Sequence, residues 1–262
     1  MQLARDAFLS RILKSMALLL FSISFLFLLT PLARPQQHDM DNMPGMEMAV
    51  PSGAEDPAQA AKRLADKQES EFNHHLAGLF VIVAGIFILA ESPLSRRWSA
   101  VRYVWPMCFL AAGLFLLFYS DTEIWPFGPQ TPWYAITHNA EVLQHKTFSI
   151  ILLVLGYVEF QRTRGLWKSP WTAWIFPVIG GVGAVLLLFH VHSGDMHAPN
   201  AMESMHHIQK QHLWFSLTGF GVVLTNGVAG LTTTPQKWQH FFKRAWPALL
   251  IILGVLLTLY TE

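Results

Sequence analysis

Seven apolar runs, each close to a bilayer's width, alternate with short polar stretches at roughly 13–33, 74–92, 103–120, 145–161, 173–191, 212–231 and 246–261. A helix needs about 17–25 mainly apolar residues to cross the hydrocarbon core, so the pattern predicts an all-α integral membrane protein. The first run follows Arg5, Arg11 and Lys14 and ends near Pro31-Leu32-Ala33, which fits a signal peptide or an anchor helix over residues 1–33. Residues 34–70 read as an exported Met/His-rich disordered tail and a lead-in helix, the latter from the mixed-charge, alanine-rich stretch 55–73. The other six runs predict a six-helix bundle over residues 71–262.

The bundle pattern repeats. The stretches from Pro106 to Asp121, Pro177 to His192 and Pro247 to Glu262 align without gaps, each behind an aromatic residue (Trp105, Phe176, Trp246). Proline suits a helix's first turn, where no amide partner is lost. Seven positions after each proline stand Gly113, Ala184 and Gly254, small enough for close helix packing. The partner spans match as well: His145 to Ile150 pairs with His212 to Leu217, and His75 to Phe80 is a looser third copy. The expected architecture is three tandem two-helix hairpins, with internal repeats at about 71–121, 138–192 and 205–262.

Charge fixes the orientation. Twelve of the 18 Lys and Arg residues fall in the N-terminus and the loops 92–103, 161–172 and 232–245, while the opposite segments hold 14 of the 17 acids. The positive-inside rule makes the first set cytoplasmic. The chain then reads as a multi-pass protein of a bacterial-type inner membrane, with its Met/His-rich face outside. Charged residues are only 13% of the chain and the net charge is +1, which gives no case for a nucleic-acid partner. Cys108 is the single cysteine and lies in an apolar run, so it forms no intramolecular disulfide and reads as a buried, inert thiol.

With this orientation, 11 of the 12 histidines and seven of the ten methionines lie outside. Imidazole and thioether ligands hold late transition metals. His75, His145 and His212 begin the inward-running helices, and Asp121, His192 and Glu262 end the outward-running ones. Packed about a common axis, these six groups converge on one metal site. His138, Glu141 and His145, at i, i+3 and i+7, predict one helical stripe that adds ligands. His190 and His192 leave the membrane beside Asp195, Met196 and His197, and Met202, Met205, His206 and His207 precede His212. The tail supplies His38, Met40, Met43, Met46 and Met48, a composition suited to transient Cu(I) capture.

This plan of an outward Met/His tail over polytopic helices with exported His–Met clusters resembles the CopD copper-resistance inner-membrane family. The resemblance implies copper uptake or transfer across or at the inner membrane. The ligands themselves predict a protein that captures copper on its tail, holds it among His75, His145, His192 and His212, and passes it inward or to a periplasmic copper chaperone or cuproprotein. Two other functions fit the same residues. A b-type haem electron carrier would use His75, His145, His190 and His212 as axial ligands. A metal-dependent membrane enzyme would add Asp121, Glu141 and Asp195. No phosphate loop or nucleophile elbow occurs in the sequence, and no residue is assigned a catalytic role.

Overall fold

The computed structural model describes residues 57–190, 201–231 and 235–262. The first apolar run and the Met/His tail therefore lie outside the described residues, as do His192, Asp195, Met196 and His197. The chain divides into two compact units, 1–62 and 63–262; only the opening residues of the first helix represent the first.

The described elements are α1 (Pro57–Ser95), α2 (Val104–Phe118) behind a 3-10 turn (Ser99–Tyr103), the short α3 (Pro132–His138), α4 (Ala140–Thr163), α5 (Ile175–Leu188) behind a second 3-10 turn (Pro170–Trp174), α6 (Ala201–Gly230) and α7 (Gln236–Thr258). Among the described residues there is no β-strand. All but α3 are long and apolar enough to cross a membrane, α2 and α5 together with their 3-10 turns. Exposed Leu79, Ile86, Leu114, Ile150, Leu217, Leu224 and Ile252 give these helices an apolar outer surface, as lipid contact requires. The chain is thus a multi-pass membrane protein built as three two-helix hairpins (α1/α2, α4/α5, α6/α7), with the bilayer as its environment.

Pro106 and Pro177 occupy the first turns of their helices, as expected. Pro247 does not: α7 starts early, at Gln236, and encloses it.

The six spans close into a ring. α2 packs on α4, α4 on α5, α5 on α6 and α6 on α7. α1 completes the circle, with Gly78 against Gly254 of α7 on one side. On the other side the Asn73 amide donates to the Ser120 carbonyl just past α2, at 2.9 Å. Three close seams join α2 to α4, α5 to α6 and α7 to α1. In the first, Ser149 Oγ donates to the Gly113 carbonyl at 2.8 Å. In the second, Ser216 Oγ donates to the Ala184 carbonyl at 2.7 Å. In the third, the backbones approach so closely that a methyl group on Gly78 would sit 2.6 Å from the Gly254 carbonyl oxygen. The small residues Gly113, Ala184 and Gly254 each lie in one of these seams. Buried serines that find a carbonyl across the seam satisfy the requirement that polar groups in an apolar interior be paired.

Inside the ring runs an axial cavity of about 200 Å³, lined by all six spans. One end carries histidines. The other is closed by an aromatic layer in which Trp105 lies 6.1 Å from Phe109 and 6.2 Å from Trp246, and Phe176 lies 5.9 Å from Phe109 and 5.5 Å from Trp246.

Candidate metal site

The seams set which histidines face the axis. His145 stands four residues before Ser149, and His212 four before Ser216. Four residues before Gly78 stands His74, not His75. The histidine of α1 in this register is therefore one residue before the one that sequence matching predicts. A one-residue step turns a side chain by about 100° around a helix of 3.6 residues per turn. His75 consequently faces elsewhere and donates from Nε2 to the Tyr260 carbonyl at 2.9 Å, tying α1 to the end of α7.

His74 joins His190 and His212 in one cluster, their ligand atoms no more than 4.8 Å apart. The rings of His190 and His212 lie 4.8 Å apart by centroid, and those of His74 and His212 lie 5.6 Å apart. Imidazole nitrogens at ~2.0–2.1 Å from a tetrahedral metal are separated by roughly 3.3–3.5 Å. Small rotations of the three rings would bring them to that distance. His145 extends the group, 5.4 Å from His190.

The anchoring of these rings selects a tautomer. Nδ1 of His74 donates to the Ser70 carbonyl at 2.8 Å, and Nδ1 of His212 to the Ile208 carbonyl at 2.9 Å. A carbonyl only accepts, so each Nδ1 carries the proton and each Nε2 holds the lone pair that a metal takes. His145 follows the same plan with a carboxylate, donating Nδ1 to Asp121 Oδ1 at 3.0 Å.

Asp121 is itself held firmly. Its other oxygen meets the Lys146 ammonium at 2.7 Å. Burial pushes the carboxyl pKa up, but the hydrogen bond and charge of His145 and the Lys146 ammonium outweigh it and hold the group down at about 2. The ammonium also donates to the Leu116 and Leu117 carbonyls at 3.2 and 3.0 Å, so it caps the end of α2.

Tyr260 forms a wall of the cluster. It is fully buried, stacked on His74 with centroids 3.9 Å apart, and donates its hydroxyl to Glu262 Oε1 at 2.8 Å. Burial, then the Glu262 carboxylate, push its phenol far above the ordinary tyrosine range. It remains a neutral packing partner, not a phenolate ligand.

The other expected ligands are elsewhere. The stripe of His138, Glu141 and His145 is broken, because α3 ends at His138 and Asn139 is extended, with φ −127° and ψ 114°. The Asn139 side chain accepts from the Glu141 and Val142 amides and starts a new helix. His138 is exposed and stacks on Tyr134 at 4.2 Å. Glu262 serves the chain end: it accepts from Ser70 Oγ at 2.8 Å, and its amide donates to Glu71 at 3.1 Å. Met202, His206 and His207 are exposed and Met205 is half-buried. His207 meets Thr261 Oγ1 at 3.4 Å, away from the cluster.

Sequence reasoning missed His74, Lys146 and Tyr260. The His-x3-Ser spacing of α4 and α6, extended to His-x3-Gly in α1, would have found the first. No family model, curated protein or solved structure matches the chain, so the site is read from its own geometry.

Proposed function

We propose that this protein binds copper at its exported face on His74, His190 and His212, with His145 as a fourth donor, and delivers it to a partner protein. The observation that carries this is the convergence of three imidazoles from α1, α6 and the end of α5, with ligand atoms no more than 4.8 Å apart. Two of the three have Nδ1 committed to a backbone carbonyl. Asp121 holds His145 as an outer-shell carboxylate holds a metal-ligating histidine. Imidazole suits several late metals; the Met-rich tail, Met40, Met43, Met46 and Met48 with His38, favours copper among them. In this reading the tail collects the ion and the helical cluster retains it.

The positive-inside asymmetry supports a bacterial-type inner membrane with the histidine end outside. The three equivalent seams support an internal threefold repeat. The exported His and Met residues, not the repeat, carry the resemblance to the CopD family. Delivery to a periplasmic chaperone or cuproprotein is favoured over passage inward, because the cavity below the histidines is apolar. The closeness of His74, His190 and His212, with ligand atoms no more than 4.8 Å apart, favours a single ion over a b-type haem, whose axial ligands stand on opposite faces of a macrocycle.

The test is metal and haem analysis of detergent-purified protein loaded with Cu(I). The wild type should hold about one copper in the helical unit and show no Soret band. His74→Ala and His212→Ala should each lose it, whereas His75→Ala should keep it. A His212→Ala protein with full copper would end the proposal, and a Soret band would move it to haem.

A further inference from the structure

The axial cavity is a second feature, separate from the metal chemistry at its end. From the histidine layer to the aromatic layer it is walled by apolar side chains such as Val81, Phe109, Phe148, Ile151, Val222 and Leu253. Its polar lining consists of Asn73 and the four histidines, all at one end. Asn73 is committed to the Ser120 carbonyl. Below that layer an ion would find no ligand, and a charge in an apolar medium without partners is strongly disfavoured. Water is disfavoured too, since it needs two to four polar partners to stay.

The hollow has a structural origin. α5 and α6 contribute Gly180, Gly183 and Gly219 to its wall, where larger residues would fill it. At Gly183 an added Cβ would lie 3.7 Å from its nearest neighbour, Ile151, an ordinary contact. The space is therefore not required by backbone crowding at this position. A dry cavity of ~150 Å³ lined by aliphatic and aromatic groups takes up xenon or benzene, and this one measures about 200 Å³.

We propose that the cavity is a binding pocket for a small, neutral, apolar molecule of the class of dioxygen, which it holds against the inner side of the histidine cluster, and that it conducts no ions. Such molecules concentrate in bilayer hydrocarbon, so the pocket can be filled from the membrane. The pocket stands without a bound metal; only its relevance to copper rests on the proposed function.

Xenon is the probe. Metal-free protein in detergent is titrated with dissolved xenon and followed by 129Xe magnetic resonance, alongside Gly183→Leu and Gly183→Val. The wild type should give a saturable bound signal, which the leucine variant abolishes and the valine variant weakens at least severalfold. His212→Ala should still bind xenon, which separates the pocket from the metal site. In proteoliposomes, copper flux should match that of empty vesicles. The proposal is overturned if wild-type protein shows only the unsaturable partitioning of empty micelles, if both Gly183 variants bind xenon like the wild type, or if copper crosses the vesicle membrane in a histidine-dependent way.

Discussion

The same substitution at two mid-helix glycines should act with opposite sign. At Gly78, an alanine methyl would lie 2.6 Å from the Gly254 carbonyl oxygen and 2.9 Å from Leu257 Cβ. These contacts are to backbone and to the root of a side chain, so neither can swing aside and α1 must move away from α7. Overpacking of this kind costs roughly 1–3 kcal/mol. At Gly183 the nearest atom is 3.7 Å away and the methyl enters the cavity wall. Helix propensity favours alanine by at most ~1 kcal/mol, and by less if the span stays helical when tertiary structure is lost. Gly183→Ala should therefore be neutral to stabilising by up to ~1 kcal/mol. The two variants should differ by roughly 1–4 kcal/mol, which at about 2–4 °C per kcal/mol for a domain of this size is a clear separation in melting temperature. Thermal unfolding in one detergent, followed by tryptophan emission and by loss of the monodisperse chromatographic peak, measures this. A Gly78→Ala protein as stable as the wild type would refute the closeness of the α7/α1 seam, and a strongly destabilised Gly183→Ala would refute the hollow.

Three further outcomes follow from the polar end. Asp121→Asn leaves the Lys146 ammonium, 12% exposed, without its carboxylate; it should destabilise by roughly 3 kcal/mol, and Asp121→Asn combined with Lys146→Met should recover part of that in a double-mutant cycle. The Asp121 carboxyl titrates at about 2 instead of the ordinary 3.8, so its contribution of roughly 2 kcal/mol is present above pH 4 and lost as pH falls through 2; melting temperature measured across this window should drop, and the drop should be smaller in Asp121→Asn. Trp125 and Trp133, 69% and 77% exposed, should sit at the lipid interface; brominated lipids should quench their emission, in a protein lacking the other tryptophans, more strongly than an aqueous quencher does.

The hydropathy pattern made the six described spans and their pairing legible because apolar length and charge asymmetry act locally. Small residues seven positions after the aromatic-proline pairs also pointed correctly to the seams. Two other matters needed three dimensions. The third histidine depended on whether Gly78 or Leu79 fills the seam of α1, and composition alone does not distinguish these one-residue offsets. The stripe through His138 and His145 failed at Asn139, whose side chain competes with the helix backbone for the Glu141 amide. The i, i+3, i+7 spacing alone gave no hint of that break, although Asn is a preferred N-cap.

The direction of the helices gives an independent reason for a cation at this end. α2, α5 and α7 all finish here, with Asp121, His190 and Tyr260 within three residues of their last turns. A helix C-terminus carries about half a negative charge on its last carbonyls. At α2 that charge is answered by Lys146, whose own charge is answered by Asp121. The ends of α5 and α7 lie beside His190 and beside the His74–Tyr260 stack. Of the helices running the other way, α1 and α6 carry their histidines well inside the helix, and α4 starts at Ala140, more than one turn before His145; the field of a helix end fades within a turn. The fixed backbone charge around the three histidines is therefore negative. An oxyanion would meet carbonyl ends here, and a cation bound by neutral imidazoles gains from them.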